Sequence, residues 1–228
     1  MQKLLITAAL SLIGATSYAQ TIIKAGTVQL GGSVGYSQQS NDNSYNYYTG
    51  TSYLNTTQHA VYKSFSINPM AGYFVADNLA IGLSVAQNNS KTAYSYDSPD
   101  IAGGDQRNSQ LNLGAFVQYY RLFTDHFGLV GTLNAGYTHG TSTSTYASGG
   151  SRGTSNGFSA ALTPSIVFFP VPKFSIGASV GNVGYSHYTS KIESDNNVLD
   201  SGTSNGSSFG AGFGISYLTF SGTYYFGR

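Results

Sequence analysis

Residues 72–82 read GYFVADNLAIG, in which two aromatic residues precede a short polar turn and an alternating apolar run follows it. The pattern returns as VFFPVPKFSIG at residues 167–177 and, more loosely, as YYRLFTDHFGL at residues 119–129. Apolar residues recur at every second position on both sides of a turn rich in Asp, Asn, Pro or Thr, which is typical of a tight β-hairpin. The sequence therefore predicts a fold built from repeated, short-turned hairpins.

Alternation outside these blocks extends the pattern to about eight strands. In the first strand Val28, Leu30 and Tyr36 share an apolar face, and small or polar residues occupy the positions between them. The seventh strand changes phase near Gly181-Asn182, which predicts a β-bulge. The last strand changes phase near residue 218, so which of its faces meets lipid stays open, with the phase of Phe226 favoured near the end.

The composition excludes several classes of protein. Only 8% of the residues are charged, whereas 14% are aromatic, and the formal net charge is +1. Soluble domains carry about a quarter charged residues, and a helical membrane protein needs apolar runs of about 20 residues, which are absent after the N-terminal segment. Strands with one apolar face against lipid explain both observations. Near-neutral charge argues against a nucleic-acid partner, and the absence of Cys excludes disulfide and thiol chemistry.

The N-terminus has the pattern of an export signal. A positive charge at Lys3 precedes an apolar run from Leu4 to Ala15, and the small residues of Ser17-Tyr18-Ala19 are typical of a signal peptidase site. We predict that residues 1–19 are a removed signal peptide and that residues 20–228 form a single domain.

The connections between predicted strands alternate in length. The three block turns are short, whereas the links near residues 38–61, 88–107, 140–157 and 187–207 are long and polar. Short periplasmic turns and long outer loops are typical of outer-membrane barrels. We therefore predict an all-β fold: a closed antiparallel transmembrane β-barrel of about eight strands. Ten strands would result if a long loop contained a further hairpin, for instance at residues 93–96.

The block at residues 73–82 and the C-terminal GTYYF at residues 222–226 resemble the small outer-membrane β-barrel proteins of Gram-negative bacteria, the OmpA/OmpX-like "porin family". The resemblance covers essentially the whole chain after residue 19. It implies an outer-membrane location after Sec-type export, with outer-membrane lipid and lipopolysaccharide as surroundings. It also implies that the barrel-assembly machinery recognises the C-terminal strand ending at Phe226, although Gly227 and Arg228 follow that residue.

The most distinctive surface segment is the predicted first outer loop, from Gln38 to His59. Its candidate binding residues are Tyr45, Tyr47, Tyr48 and Tyr53, set among Asn, Ser and Thr. Such a composition combines aromatic contact area with adaptable hydrogen bonding, as in antibody paratopes. We expect either a binding surface for an unidentified external ligand or a polar loop that shields the barrel mouth.

Few residues offer catalytic chemistry. His139 precedes Ser142 and Ser144 by a few residues, and His187 directly follows Ser186, but no motif fixes a Ser/His/acid spacing. A lipid-modifying outer-membrane enzyme is therefore a distant alternative, and we predict no catalytic, cofactor or metal residues. Acidic residues crowd two outer links without the order of a calcium loop, namely Asp97, Asp100, Asp105, Glu193, Asp195 and Asp200.

The predicted interior distinguishes a structural barrel from a pore. Alternation turns five large side chains inward near the short turns: Met70, Phe74, Phe116, Tyr120 and Phe169. Barrels of about eight strands have interiors that such side chains fill. We therefore expect a non-enzymatic barrel with a structural or surface-interaction role, and a narrow diffusion channel for small solutes as the alternative.

Overall fold

The structure is a computed structural model and describes residues 22–48, 53–98, 101–146, 149–194, 202–215 and 218–228. The predicted signal peptide at residues 1–19 lies outside the described residues. The strands are β1 (Val28–Tyr48), β2 (Tyr53–Ala76), β3 (Leu79–Tyr96), β4 (Gly104–Leu122), β5 (Phe127–Tyr146), β6 (Gly149–Val171), β7 (Phe174–Ser179), β8 (Gly181–Ser194), β9 (Gly202–Phe213) and β10 (Thr219–Phe226). Among the described residues, no helix has the length and apolar character needed to cross a bilayer.

The strands form a closed antiparallel barrel. The hydrogen-bonded order runs β5-β4-β3-β2-β1-β10-β7-β6, and pairing of β6 with β5 completes the ring. Strands β7 and β8 pair with successive parts of β6 and so share one position in the wall. Strands β10 and β9 share the next position, because β10 pairs with β7 and β9 pairs with β8. The wall therefore has eight strand positions, two of which are interrupted, and the prediction of a closed barrel of about eight strands is confirmed. Residues 93–96 lie within β3 and form no further hairpin.

The two interruptions have local causes. Gly181, the first residue of β8, has a φ of 144°, a backbone region that disfavours side chains. A Cβ at this position would collide with the carbonyl oxygen of Gly212. The predicted phase change near Gly181-Asn182 is thus confirmed. Gly214, which follows β9, has a φ of 155°.

The ends of the barrel differ. The predicted short turns lie at residues 77–78, 123–126 and 172–173, and this end is called the turn end below. Here β1 pairs with β10 from Val28 to Gly32. Beyond Gly32, among the described residues, β1 pairs only with β2 and β9 pairs only with β8. The wall is therefore sealed at the turn end and parted between β1 and β9 toward the opposite, distal end.

The predicted long loops are largely strand. Strand β1 stays paired with β2 from Gln38 opposite Lys63 to Tyr48 opposite Tyr53, and β2 is 24 residues long. The other long links likewise lie mostly within β3 to β9. The predicted contrast between short turns and long outer links holds, and the long links continue the strands; hydrophobic alternation gives little signal for this because polar residues predominate on both faces there.

The outward face near the turn end is apolar. Ten outward side chains on seven strands are between 40% and 69% exposed: Val28, Leu30, Ile67, Tyr73, Ile81, Leu83, Val117, Leu129, Ile166 and Phe226. In β10, Tyr224 and Phe226 are exposed and Tyr225 is fully buried, which confirms the favoured phase of the last strand. An apolar belt with this position is the exterior of a membrane-spanning barrel.

Candidate functional site

Aromatic side chains close the lumen at the turn end. Phe74, Tyr120, Phe169 and Tyr225 are at most 3% exposed. The Tyr225 ring centroid lies 5.4 Å from that of Phe169, and the Phe74 centroid lies 5.4 Å from that of Tyr120. These four residues are called the plug below. They come from β2, β4, β6 and β10, so the plug joins four sides of the wall.

Buried polar groups fix the plug. The Tyr120 hydroxyl donates to Gln29 Oε1 at 2.9 Å, and Gln29 Nε2 donates to Gln118 Oε1 at 2.7 Å. The Tyr225 hydroxyl donates to the Tyr120 hydroxyl at 3.3 Å and lies 3.0 Å from Ser175 Oγ. Because their polar groups are paired, these tyrosines are buried without leaving their hydroxyls unsatisfied.

The sequence predicts most of this closure. Phe74, Phe116, Tyr120 and Phe169 are buried as expected, whereas Met70 lines the cavity above the plug. Tyr225 is not among the side chains predicted from the sequence, although its position between the outward Tyr224 and Phe226 indicates that its side chain points into the lumen.

A polar cavity lies above the plug. Its volume is about 260 Å³, and hydroxyl and amide side chains dominate its lining, including Ser33, Asn68, Ser84, Asn112, Thr132 and Asn134. Asn134 Nδ2 on β5 donates to Ser84 Oγ on β3 at 2.8 Å, over the intervening strand β4. None of the described lining residues is charged. The lumen is therefore a neutral vestibule that ends at the plug.

The candidate tyrosines lie on one hairpin. Tyr45, Tyr47 and Tyr48 belong to β1, and Tyr53 belongs to β2, where it pairs with Tyr48. Tyr45 is 50% exposed. The predicted loop is thus a paired hairpin that carries its tyrosines toward the distal tip of the barrel.

His59 connects three elements of the distal extension. Its Nδ1 lies 2.7 Å from Asp42 Oδ1 on β1, and its Nε2 lies 2.8 Å from Asp97 Oδ1 just after β3. A neutral imidazole has one N–H donor, whereas ionised carboxylates only accept, so both contacts require the imidazolium. The hydrogen bonds that His59 donates to Asp97 and Asp42 raise the pKa of His59, and the hydrogen bond from His59 lowers the pKa of Asp97.

The candidate Ser/His pairs of the enzyme alternative do not form hydrogen bonds with each other. His139 Nδ1 contacts Asn156 Oδ1 at 2.7 Å rather than Ser142 or Ser144. His187 Nδ1 contacts Ser207 Oγ at 2.8 Å. Ser186 instead contacts Ser208 at 2.8 Å. Cross-strand register brings these partners together from distant sequence positions, which local spacing does not predict.

Two of the acidic residues noted in the sequence form ion pairs at different places on the barrel. Asp97 contacts His59, and Asp105 contacts Lys91 and Arg107. Asp100, Asp195 and Asp200 lie outside the described residues. Within the described ranges, no group of three or more His, Cys, Asp or Glu side chains is arranged to hold a metal ion.

No protein family model matches the chain, and no curated protein matches it. Solved structures resemble it in shape. The outer membrane protein OprG from Pseudomonas aeruginosa aligns over 90% of this chain and 98% of its own, with 16% identity and a TM-score of 0.45. A major outer membrane protein from Thermus thermophilus aligns over 89% and 100%, with 13% identity and a TM-score of 0.44. The attachment invasion locus protein Ail of Yersinia pestis aligns over 89% and 99%, with 14% identity and a TM-score of 0.35.

Proposed function

We propose that this chain is an integral outer-membrane β-barrel that acts at the cell surface as a non-enzymatic interaction protein. Its lumen is closed toward the periplasm, and its distal strands carry a polar surface away from the membrane. The observation that carries the proposal is the combination of the plug at one end with strands much longer than a membrane requires at the other.

Strand length supports the surface role. A membrane-spanning strand needs about 9 to 11 residues, whereas β1, β2 and β6 have 21, 24 and 23 residues. On β1, Tyr36 is followed by polar residues from Ser37 to Ser44, and on β2 the outward position next to Phe65 toward the distal end is Lys63. The remaining half of each strand then stands outside the bilayer, where its exposed side chains are available to a partner.

The plug argues against the alternative of a diffusion channel. Phe74, Phe169 and Tyr225 are completely buried, and the Tyr225 ring packs against both phenylalanine rings. Beneath them the guanidinium of Arg228 lies 3.9 Å from the centroid of the Phe169 ring, a cation–π distance. A solute that entered the vestibule would meet a packed floor.

The C-terminus supports the proposed route of assembly. Phe226 ends β10 with its ring 49% exposed on the outer face. Gly227 has a φ of 87°, and Arg228 reaches beneath the plug. The two residues after Phe226 therefore leave its ring exposed on the outer face, where we propose the barrel-assembly machinery recognises the strand.

Planar-bilayer conductance of the refolded chain tests the closed floor. We expect no steady current step from the natural protein. The double variant Tyr120→Ala with Tyr225→Ala removes two plug rings and should introduce steps. The matched control replaces their outward neighbours, Tyr119→Ala with Tyr224→Ala, and should stay silent because those rings face away from the lumen.

A steady step from the natural protein would overturn the closed-floor proposal and favour the diffusion channel. Steps that appear equally in the plug variant and in its outward control would show that wall damage, rather than plug removal, produces the current.

A further inference from the structure

Strand register assembles three cations on the outer wall. Lys63 on β2 is directly opposite Lys91 on β3, and Lys91 is directly opposite Arg107 on β4. Directly paired residues project from the same face of a sheet, and neighbouring strands lie about 4.8 Å apart. Phe65, two residues from Lys63, is exposed on the same face of β2 as Ile67 of the apolar belt, so the three cations form one row on the outer face.

The row borders a groove in the outer wall. The groove has a volume of about 540 Å³, and its lining includes the three cations together with Tyr36 and Phe65. Tyr36 and Phe65 are 67% and 45% exposed. They lie just beyond the apolar belt on β1 and β2, so the groove has an aromatic side toward the membrane and a cationic side toward the distal end. It is called the outer groove below.

One carboxylate, that of Asp105, pairs with two cations of the row and offsets only part of their charge. Asp105 Oδ2 lies 2.8 Å from Lys91 Nζ and 3.1 Å from Arg107 Nη2. Both cations lower the pKa of Asp105, so it is ionised at neutral pH. Within the described part of the chain, no ion pair involves Lys63. Three cations around one carboxylate leave an excess of two positive charges in the groove.

We propose that the outer groove binds a phosphorylated lipid of the outer leaflet, the chemistry presented by the lipid A part of lipopolysaccharide. Lys63, Lys91 and Arg107 hold the phosphate, since charge-assisted hydrogen bonds from such groups are the usual recognition of phosphate oxygens. Tyr36 and Phe65 contact the first part of the acyl chains. The groove suits an amphiphile because its cations lie at the level of the lipid headgroup and its aromatic side chains lie nearer the acyl chains. The inference rests on the proposed outer-membrane placement.

The test measures binding of bis-phosphorylated lipid A to the refolded full barrel in detergent micelles. The triple variant Lys63→Gln, Lys91→Gln and Arg107→Gln should weaken binding by about tenfold to a hundredfold, because several charge-assisted contacts are lost. The matched control neutralises three cations near the turn end, Lys24→Gln, Arg121→Gln and Lys173→Gln, and should leave binding unchanged. Dephosphorylated lipid A should bind the natural barrel as weakly as lipid A binds the triple variant.

Each other outcome decides against the inference. Equal lipid A binding by the natural barrel and a folded triple variant would overturn it, and so would equal losses in both triple variants. Full competition by inorganic phosphate alone would show that the groove is an anion site without lipid selectivity. Heat-sensitive gel migration of the same samples reports folding. If the natural chain forms no barrel, the proposed function fails with the inference, whereas a folded barrel without groove-dependent binding removes the inference alone.

Discussion

His59 contacts side chains of two neighbouring elements at once, and so joins three elements of the extension beside their backbone pairing. Its ring nitrogens reach Asp42 on β1 and Asp97 after β3, and all three side chains are exposed to solvent. Such contacts are screened and individually weak, so His59 affects the local order of the extension rather than the stability of the barrel. Both hydrogen bonds exist together only when the His59 imidazole is protonated on both nitrogens.

The pH dependence of the extension follows from this geometry. The folded pKa of His59 is above 6.5, so its contribution is complete below that value and is lost as pH rises through the folded pKa. The folded pKa of Asp97 is below 3.8, so its contribution exists above that value and is lost as pH falls through the folded pKa.

Amide hydrogen exchange measures the effect. After correction for intrinsic rates, the backbone around Asp42 and His59 should exchange more slowly at about pH 5.5 than at about pH 8. The variant His59→Gln should remove the difference. The backbone of the plug strands serves as the internal control and should show no such change. Protection at Asp42 that is independent of pH in the natural protein would contradict the role of His59.

At the scale of the element, the hairpin of β1 and β2 is the most extended surface feature. It stays in register from Val28 opposite Tyr73 to Tyr48 opposite Tyr53. Pairing up to Tyr48 and Tyr53 fixes the backbone of both strands, so less conformational entropy is lost on binding than for a flexible loop. The hairpin is therefore a better candidate for a binding surface than the loop that the sequence predicts.

Substitution of the tip tyrosines tests this role. Replacing Tyr45, Tyr47, Tyr48 and Tyr53 with serine should abolish adhesion of barrel-displaying cells to host cells or matrix, because the aromatic contact area is lost. Replacing the same four residues with phenylalanine keeps that area and should retain most of the adhesion. Undiminished adhesion by the serine variant would exclude the hairpin tip as the binding surface.

Sequence patterns predict the elements only where the two faces of a strand differ. From Val28 to Tyr36 apolar and small polar residues alternate, and the predicted face is the observed one. Beyond Gln38 both faces are polar, so the continuation of β1 gives no hydrophobic period although it is fully paired. The wall in the membrane is predictable for this reason, and the distal extension is not.

The candidate sites depend on register as well as on face. Burial of Phe74 and Tyr120 follows from alternation within single strands. By contrast, the row of Lys63, Lys91 and Arg107 requires the pairing of three strands, and the contacts of His59 also join three elements. Register is set by turn geometry and bulges along each whole strand, which local sequence patterns do not specify.

At the scale of the whole molecule, the two ends of the barrel have different surfaces. The turn end combines an apolar belt outside with packed aromatic rings inside, whereas the distal end is mainly polar, with exposed tyrosines and Ile192 among its polar side chains. A bilayer around the turn-end half covers the apolar belt and leaves Lys63, Lys91 and Arg107 outside, because these outward cations of β2 to β4 lie on the distal side of Phe65. These surfaces indicate a barrel whose turn-end half spans the membrane and whose distal half extends outside it.

The most direct test of this account is the gel migration of the protein taken from an outer-membrane fraction, compared with and without boiling. A closed transmembrane barrel stays compact in detergent until it is heated, so we predict recovery in that fraction and faster migration of the unheated sample. A protein recovered from the soluble periplasm, or one whose migration is unchanged by boiling, would contradict the account and favour an exported soluble β-sheet protein.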